Sequence, residues 1–240
     1  MLEGILLCIL TLIAAFVGTA TGFGLSTIMI PVVTLFAPMP IALLFVGTIH
    51  LCGNIWKVIL FKSGIDKKLV LGFGIAGIIA SFIGASLSMN IDDAPLKRIL
   101  AIFLLFYVVF LSTKRKWALK TNNKTAIAGG LLSGLCAGFF GVGGAVRGAF
   151  LTAYNLPKPV YIFTSGLIAL FIDVTRVSRY LWAGTRLEQD LLIALCCCIP
   201  VSFISARIAK KFIDKLPQKF FRIFISVFLT LVAIKMLVWG

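Results

Sequence analysis

Apolar stretches separated by short polar loops make up nearly all of this sequence. Hydrophobic residues are 60% of the chain and charged residues only 13%, with a mean hydropathy of +1.10. This balance is typical of a polytopic membrane protein, in which about 20 apolar residues in a helix cross about 30 Å of hydrocarbon. The apolar stretches lie at about 2–20, 24–37, 41–61, 69–89, 99–113, 126–140, 143–156, 160–182, 189–206 and 220–239. We therefore expect an all-α polytopic membrane protein with ten membrane-embedded helical segments, of which the shorter ones need not span.

The first apolar segment, residues 2–20, has the length of a secretory signal peptide. It has no basic residues before its apolar part, and Glu3 is the only charge near its start. A signal peptide carries a positively charged region there. We therefore predict that this segment is a retained first helix.

Metal, cofactor and redox chemistry find little support in the sequence. All six cysteines lie inside apolar segments, none of them forms a CxxC pair, and the chain has a single histidine. Cysteines in such positions pack as small hydrophobic residues. We predict no metal site and no cofactor. The cysteines are Cys8, Cys52, Cys136, Cys196, Cys197 and Cys198.

The formal net charge of +15 raises the question of nucleic-acid binding, since basic patches bind phosphate backbones. The Lys and Arg residues, however, gather in the short loops between apolar segments. Basic residues in such loops set membrane topology and contact anionic lipid headgroups. We expect the lipid bilayer, and not a nucleic acid, to be the partner of this charge.

The chain contains an internal duplication. Gly22-Phe23-Gly24 aligns with Gly141-Val142-Gly143 at an offset of 119 residues, from 24 to 143. The same offset relates Pro38-Met39-Pro40 to Pro157-Lys158-Pro159, Asn54 to Asp173, and Lys57 to Arg176. Further along, SFIGA at 81–85 matches SFISA at 202–206, and Ile91-Asp92 with Pro95 and Lys97 matches Ile213-Asp214 with Pro217 and Lys219. We predict a first transmembrane repeat at 1–113, a basic linker at 114–124 and a second repeat at 125–240.

Charge predicts opposite orientations for the two repeats. The linker 114–124 carries five basic residues and no acid, which places it in the cytoplasm by the positive-inside rule. Counting helices from it places the loop at 62–68 inside and the loop near 90–97 outside. In the second repeat the strongly basic loop at 207–222 is cytoplasmic, and the loop at 183–190 is external. Five segments in each repeat give the same inversion, and both ends of the chain are expected outside. Inverted repeats are the architecture of many secondary transporters.

A glycine-broken helix pair opens each repeat and is the first candidate site. A helix that starts after such a break offers free N–H groups and a positive dipole end, which suit an anion. Ser26 and Thr27 add hydroxyl donors to the first turn, and Arg147 adds a guanidinium to the second. In the alternative, the glycines only pack helices and Arg147 snorkels to an interface. The candidate residues are Gly22, Gly24, Ser26, Thr27, Gly141, Gly143, Gly144 and Arg147.

A polar stripe on the third segment of each repeat is the second candidate site. His50, Asn54 and Lys57 share one helix face by their spacing, and Asp173, Arg176 and Tyr180 repeat the pattern. Ionisable residues inside a membrane usually line a pathway. We predict that His50, Asn54, Asp173 and Arg176 contribute to substrate binding.

The ionisable residues of these segments leave several roles open. Lys57 and Arg179 are expected near the two mouths as vestibule cations that attract anions, with interfacial snorkelling as the alternative for both. Arg176 is expected to pair with Asp173, in a contact that is either structural or functional. His50, the one side chain here that ordinarily titrates near neutral pH, is a candidate for proton coupling or a packing residue.

Together these features resemble the sulfite exporter TauE/SafE family of membrane anion permeases. The resemblance covers roughly residues 5–110 and 126–238 and rests on the order and duplication of its motifs. These motifs are the two glycine turns leading short helices, Pro31 after the first of them, Gly64-Ile65-Asp66 after the polar segment, and the endings that start at Ile91-Asp92 and Ile213-Asp214.

The resemblance implies a permease of two related halves in a bacterial cell (inner) membrane that moves sulfur-containing anions. It implies functional residues at Gly22, Gly24 and Ser26 and at Gly141, Gly143 and Gly144. The chain departs from the family pattern at Leu25 and Ser26, where further glycines are expected, and at Phe150, where a counterpart of Pro31 is expected. These departures concern the choice of anion more than the transporter class.

We expect a secondary transporter, and not an enzyme, for a small anion such as sulfite or sulfoacetate, working by alternating access between the repeats. An anion-selective channel and a permease for a different small solute are the alternatives. A membrane enzyme would need a base and nucleophile pair that the spacing does not offer, and a non-transporting assembly partner would leave the buried charges without a use. Protons are a candidate coupling ion, and the anion, the direction of transport and the oligomeric state stay open.

Overall fold

A computed structural model describes residues 2–62, 65–113, 120–213 and 218–239, and all regular structure in these ranges is α-helical. The expected all-α polytopic membrane protein is confirmed. Five helices, α1, α3, α4, α8 and α9, are long and apolar enough to cross a membrane. The ten helices are α1 (Leu2–Thr21), α2 (Leu25–Val33), α3 (Met39–Phe61), α4 (Lys67–Ser88), α5 (Asp93–Thr113), α6 (Asn123–Phe140), α7 (Gly143–Thr152), α8 (Lys158–Trp182), α9 (Gln189–Phe212) and α10 (Gln218–Trp239).

Part of the expected linker and some repeat motifs lie outside the described residues. These are residues 114–119 of the linker, Gly64, and Asp214 to Pro217. Helix α6 begins at Asn123, within the last residues of the expected linker, and the Asn122 side chain caps it by accepting a hydrogen bond from the backbone N–H of Thr125. A side-chain cap of this kind satisfies one of the free N–H groups at a helix start.

Each glycine-broken pair is a tight helical hairpin. At the second turn Gly141 adopts a left-handed conformation with φ of 76°, and its N–H and that of Val142 bond to the carbonyls of Ala137 and Cys136. Helix α7 then runs back along α6. Tyr154 follows α7 and Asn122 precedes α6, and the Tyr154 hydroxyl donates to the carbonyl of Asn122 at 3.0 Å. The two ends of this hairpin therefore lie together, as in a re-entrant segment.

The first glycine turn also contains glycines with positive φ, but its contacts differ. Gly22 and Gly24 both have positive φ, 81° and 122°, which a residue with a Cβ rarely adopts. The Thr21 hydroxyl donates to the carbonyls of Val17 and Phe23 and so holds the end of α1 against the turn. The backbone of Leu25 lies next to Gly18, which brings the start of α2 against α1.

Helices α3 and α8 cross at the centre of the fold. Both begin after a proline, Pro38 and Pro157, with extended ψ values of 147° and 140°. Gly47 lies beside Val177, and Gly166 lies beside Lys57. Since low numbers on one helix meet high numbers on the other, the two helices run antiparallel.

Small residues bring the remaining helices into close contact. A line of glycines on α6, Gly130, Gly134 and Gly138, lies against the backbone carbonyls of Phe73, Gly77 and Ser81 on α4. Small residues at this spacing let helix backbones approach closely in membranes. Helix α1 packs against α9 in a similar way, with the Ser205 hydroxyl donating to the carbonyl of Leu12 at 2.6 Å. Large apolar side chains such as Phe106 and Leu231 point outward, as expected in lipid.

The α4–α6 contact gives a test of the fold. A Cβ at Gly134 would meet the carbonyl oxygen of Gly77, whereas a Cβ at Gly74, also buried, would meet nothing within 4 Å. We expect Gly134→Ala to lower the free energy of unfolding by about 1–3 kcal/mol through overpacking. Gly74→Ala is expected to be neutral or slightly stabilising, because alanine favours helix over glycine. Unfolding of both purified variants in the same detergent measures the difference, and equal stabilities would contradict the contact.

Candidate functional site

A buried carboxylate joins α3 and α8 where they cross. Asp173 Oδ2 lies 2.8 Å from His50 Nδ1 and accepts a hydrogen bond from Asn54 Nδ2 at 2.7 Å. Its other oxygen accepts from Arg176 Nε at 2.7 Å. The expected ion pair between Asp173 and Arg176 is thus confirmed, and the aspartate is surrounded by donors from both helices.

Arg176 forms hydrogen bonds to other groups of the protein. Besides its bond to Asp173, Nη1 donates to the carbonyl of Ala137 at 3.5 Å and Nη2 lies 3.5 Å from His50 Nδ1. The Tyr180 hydroxyl, one turn further along α8, donates to the carbonyl of Gly138 at 2.5 Å. These bonds tie α8 to the end of α6, just before the second glycine turn. Arg176 is therefore held within the protein by its bonds to Asp173 and to the carbonyl of Ala137.

Lys57 is buried, although we expected it at an open mouth of the protein. Its side chain is 1% exposed, and its Nζ donates to Asn54 Oδ1 at 3.1 Å. The reason is the neighbour on α8: Gly166 has no side chain, so the lysine stem lies against the α8 backbone and does not extend outward. Neither the vestibule position nor snorkelling describes Lys57, which belongs to the buried cluster.

Arg179 is only partly buried, near the end of α8. Its Nε donates to the Ser86 hydroxyl at 2.8 Å, and its guanidinium lies 5.8 Å from the centre of the Phe82 ring. These contacts attach it to α4, away from the Asp173 cluster. Its position is compatible with a vestibule cation.

Arg147, on α7, is a buried cation that forms no ion pair with an acidic residue of the described protein. It is 1% exposed, so interfacial snorkelling does not describe it. Its Nε donates to the Ser165 hydroxyl at 3.0 Å, and that hydroxyl donates in turn to the carbonyl of Gly22 at 3.0 Å. Its Nη2 has no hydrogen-bond partner within the described protein. Ser165 thus links the second glycine turn to the first and fixes the direction of the guanidinium.

The two glycine turns meet at this arginine. The Phe23 side chain of the first turn packs against Gly144 and Gly148 of α7. A Cβ on Gly144 would lie 3.5 Å from Arg147 Nη2 and 3.9 Å from the backbone nitrogen of Gly24. Helices α2 and α7 both begin here without a side-chain cap. Two uncapped helix starts and a guanidinium therefore converge in one place.

The glycines of the turns have different tasks in this arrangement. Gly141 lies against Ile30 and Leu43, and Gly143 lies against the α6 backbone at Ser133. These two glycines allow close packing, as the alternative interpretation of the turns proposed. Gly144 lies beside Arg147 Nη2, and the backbone nitrogen of Gly24 lies close to Gly144.

Several buried hydroxyls near the starts of α2 and α8 have no partner in the described protein. Ser26 and Thr27, which the sequence analysis singled out, both have unpaired hydroxyl oxygens in the first turn of α2. Tyr161 and Thr164 of α8 share this property but were not predicted, and neither was Ser165. The missed signal is that Tyr161 and Ser165, four residues apart, continue the polar face of α8 from Asp173.

Among the described residues, buried cations outnumber buried acids. Among the described residues, the buried cations are Lys57, Arg147 and Arg176, and the one buried acid is Asp173. Lys57 and Arg147 are close enough for their charges to repel one another. An uncompensated buried charge costs several kcal/mol. A negatively charged ligand at Arg147 would remove this cost.

Comparison with known protein families decides the class. The family model for the sulfite exporter TauE/SafE matches residues 7–236, nearly the whole chain. The chain belongs to the TauE/SafE family. A search of curated protein sequences finds no significant match.

Membership of the TauE/SafE family confirms the resemblance noted in the sequence. The family consists of membrane permease-type transporters of sulfite and other anions. The matched region includes both glycine turns, both polar helices and every candidate residue named above. The protein is therefore an integral membrane protein of a transporter family.

The Asp173–Arg176 contact can be tested by a double-mutant cycle. We expect Asp173→Asn and Arg176→Gln each to lower the free energy of unfolding by about 3–5 kcal/mol, because each leaves the other charge buried and unpaired. The double variant is expected to cost about 1–3 kcal/mol less than the sum. The matched control is the partly exposed pair Asp93 and Lys97, 2.8 Å apart on α5, whose coupling should be about 0.5 kcal/mol. Equal coupling energies for the two pairs would contradict the buried ion pair.

Proposed function

We propose that this TauE/SafE protein is a secondary transporter that binds a small anion at Arg147, between the two glycine turns. The substrate we propose is a sulfur oxyanion or organosulfonate such as sulfite or sulfoacetate. The observation that carries the proposal is the buried Arg147 side chain, which has no acidic partner among the described residues and one unpaired nitrogen.

The chemistry around Arg147 supports an oxyanion ligand. A guanidinium presents planar, diverging N–H donors that match the oxygens of an oxyanion. The uncapped starts of α2 and α7 add backbone N–H groups and positive dipole ends at the same place. The hydroxyls of Ser26 and Thr27 offer further donors. No acidic residue of the described protein forms an ion pair with Arg147, and Asp173 acts on it only at longer range.

The arrangement of helices supports inverted repeats and alternating access. Under the 119-residue offset, α1 corresponds to α6 and α4 corresponds to α9. The contact of α4 with α6 then has its counterpart in the contact of α9 with α1, and both contacts occur. The same offset relates α3 to α8, so their antiparallel crossing corresponds to itself when the two repeats are exchanged. A pseudo-twofold axis through this crossing would let the two halves exchange conformations around a central site, as in other inverted-repeat transporters.

We further propose that His50 carries a coupled proton. Its Nδ1 faces Asp173, while its Nε2 is buried without a partner in the described protein. Asn54 from α3 and Arg176 from α8 donate to the same aspartate, and Lys57 donates to Asn54. A proton on His50 adds positive charge to an already cationic site, so a bound anion would favour protonation. By linkage, protonation would favour the anion to the same degree.

Transport assays with purified protein in liposomes test the proposal. We expect saturable uptake of radiolabelled sulfite or thiosulfate under anaerobic conditions. Arg147→Gln is expected to raise the half-saturation concentration at least about tenfold, since a charge-assisted hydrogen bond contributes about 1.5–3 kcal/mol. Arg179→Gln removes the same charge at the edge of α8 and is the matched control, with an expected change below about threefold. Sulfate, sulfoacetate and an uncharged solute complete the panel.

The same assay distinguishes a carrier from the alternatives. Unlabelled anion inside the liposomes should accelerate uptake of labelled anion by a carrier, whereas a channel shows no such exchange. Uptake that is unaffected by Arg147→Gln would move the anion away from the glycine turns. A folded protein that takes up none of the sulfur anions would overturn the proposed substrate.

The role of His50 is tested with sulfate or thiosulfate, whose charge is constant over the neutral pH range. We expect uptake by the wild type to increase when the liposome interior is more alkaline than the outside. His50→Gln keeps a hydrogen-bonding side chain next to Asp173 but cannot gain a proton, so the variant is expected to lose this increase. The control variant Arg179→Gln should keep the increase in uptake. A His50→Gln variant with a wild-type response would remove the histidine from coupling.

A further inference from the structure

We propose that Tyr161 donates a hydrogen bond to the transported anion and gives the site its preference for oxyanions over halides. This inference rests on the proposed function. It adds a residue of α8 to the proposed site between the two glycine turns. The sequence patterns pointed to the two glycine turns and to the polar stripe around His50 and Asp173, but not to Tyr161.

The ring of Tyr161 packs against the first glycine turn. A Cβ on Gly22 would collide with Cε1 of this ring and would lie 3.1 Å from Cδ1 and 3.3 Å from Cζ. The ring therefore occupies the space that a side chain at position 22 would need. This contact fixes the direction of the phenol and brings its hydroxyl to the junction of the two repeats.

The Tyr161 hydroxyl and the Arg147 guanidinium belong to one donor group. Ser165, one turn after Tyr161 on the same face of α8, accepts the hydrogen bond from Arg147 Nε. The guanidinium lies close enough to the phenol for the two to interact electrostatically. Tyr161 Oη and Arg147 Nη2 are both buried, and neither has a hydrogen-bond partner in the part of the protein that the structure describes.

These two donors define the ligand that fits them. A guanidinium can only donate hydrogen bonds, and a phenol beside it donates to any anion that the guanidinium attracts. The donors come from two helices, and one anion placed between them can accept from both. Both kinds of anion accept bonds from several directions, but the oxygens of a sulfur oxyanion are stronger hydrogen-bond acceptors than a halide ion. Loss of the phenol hydroxyl should therefore weaken oxyanion binding more than halide binding.

The packing of the helices does not by itself explain a tyrosine here. Under the 119-residue offset the counterpart of Tyr161 is Ala42, which is fully buried in the first repeat. The same position is thus filled by a small apolar residue on α3. The phenol is specific to the side of the protein that also carries Arg147.

The test compares Tyr161→Phe with Tyr154→Phe. Both changes remove one phenol hydroxyl, but Tyr154 donates to the carbonyl of Asn122 at the open end of the α6–α7 hairpin, away from the site. Tyr161→Phe keeps the ring against Gly22. The probes are sulfite and thiosulfate as substrates in the liposome assay, with chloride as a competing anion.

We expect Tyr161→Phe to raise the half-saturation concentration of both oxyanions about 10-fold or more, as the loss of a hydrogen bond to a charged group does. Inhibition by chloride should change less than about twofold, and Tyr154→Phe should leave all values within about twofold of the wild type. Half-saturation concentrations do not depend on the amount of folded protein, so reduced expression would not imitate this result.

Two outcomes would overturn the inference, and they differ in what they say about the proposed function. Wild-type oxyanion affinity in Tyr161→Phe, together with weak affinity in Arg147→Gln, would exclude Tyr161 and keep the site at Arg147. Equal weakening of oxyanion and chloride binding would make the tyrosine a general packing residue. Absence of saturable anion uptake by the wild type would instead remove both the proposed function and the role of Tyr161.

Discussion

The fold depends on how ionisable side chains are accommodated between helices that face lipid. A charge in this setting must find its partners inside the protein, and Asp173 finds them on both central helices: His50 and Asn54 on α3, and Arg176 on α8. A shift of α3 along α8 by one turn would separate these groups and leave Asp173 with Arg176 alone. The hydrogen bonds therefore fix the register of the crossing, and Gly47 and Gly166 keep the two helices close enough for the bonds to form.

Two buried arginines on neighbouring helices differ in the partners that the protein gives them. Arg176 donates to Asp173 and to the carbonyl of Ala137, and through the second of these bonds it holds α8 against the end of α6. Arg147 has one neutral partner, Ser165, and an unpaired nitrogen that faces the glycine turns. The difference lies in the neighbours and not in depth, since both side chains are almost completely buried. Structural stability is therefore assigned to the first arginine, and ligand binding is the proposed task of the second.

Much of this arrangement could be predicted from the sequence, because the signals are local. Apolar segment lengths gave the helices, and the spacing of Asp173 and Arg176 within one helix gave their ion pair. The burial of Lys57 could not be predicted, since it depends on Gly166, a residue on another helix that no periodic pattern associates with it. Tyr161 and Ser165 were missed for a related reason. Uncharged hydroxyl residues are common in apolar helices, and only the position of Gly22 and Arg147 in space gives these two a particular importance.

The chemistry of the site is asymmetric, although the proposed repeats are similar in their helices. Under the 119-residue offset, Arg147, Tyr161 and Ser165 correspond to Ile28, Ala42 and Val46, whereas Ser26 and Thr27 correspond to Ala145 and Val146. One turn thus contributes a charge and the other contributes neutral hydroxyls. An arginine in both turns would bring two like charges together where Phe23 packs against Gly144, and their repulsion would separate the hairpins. A single arginine with neutral donors opposite it keeps the hairpins in contact, and it agrees with the proposal of one anion site shared by the two turns.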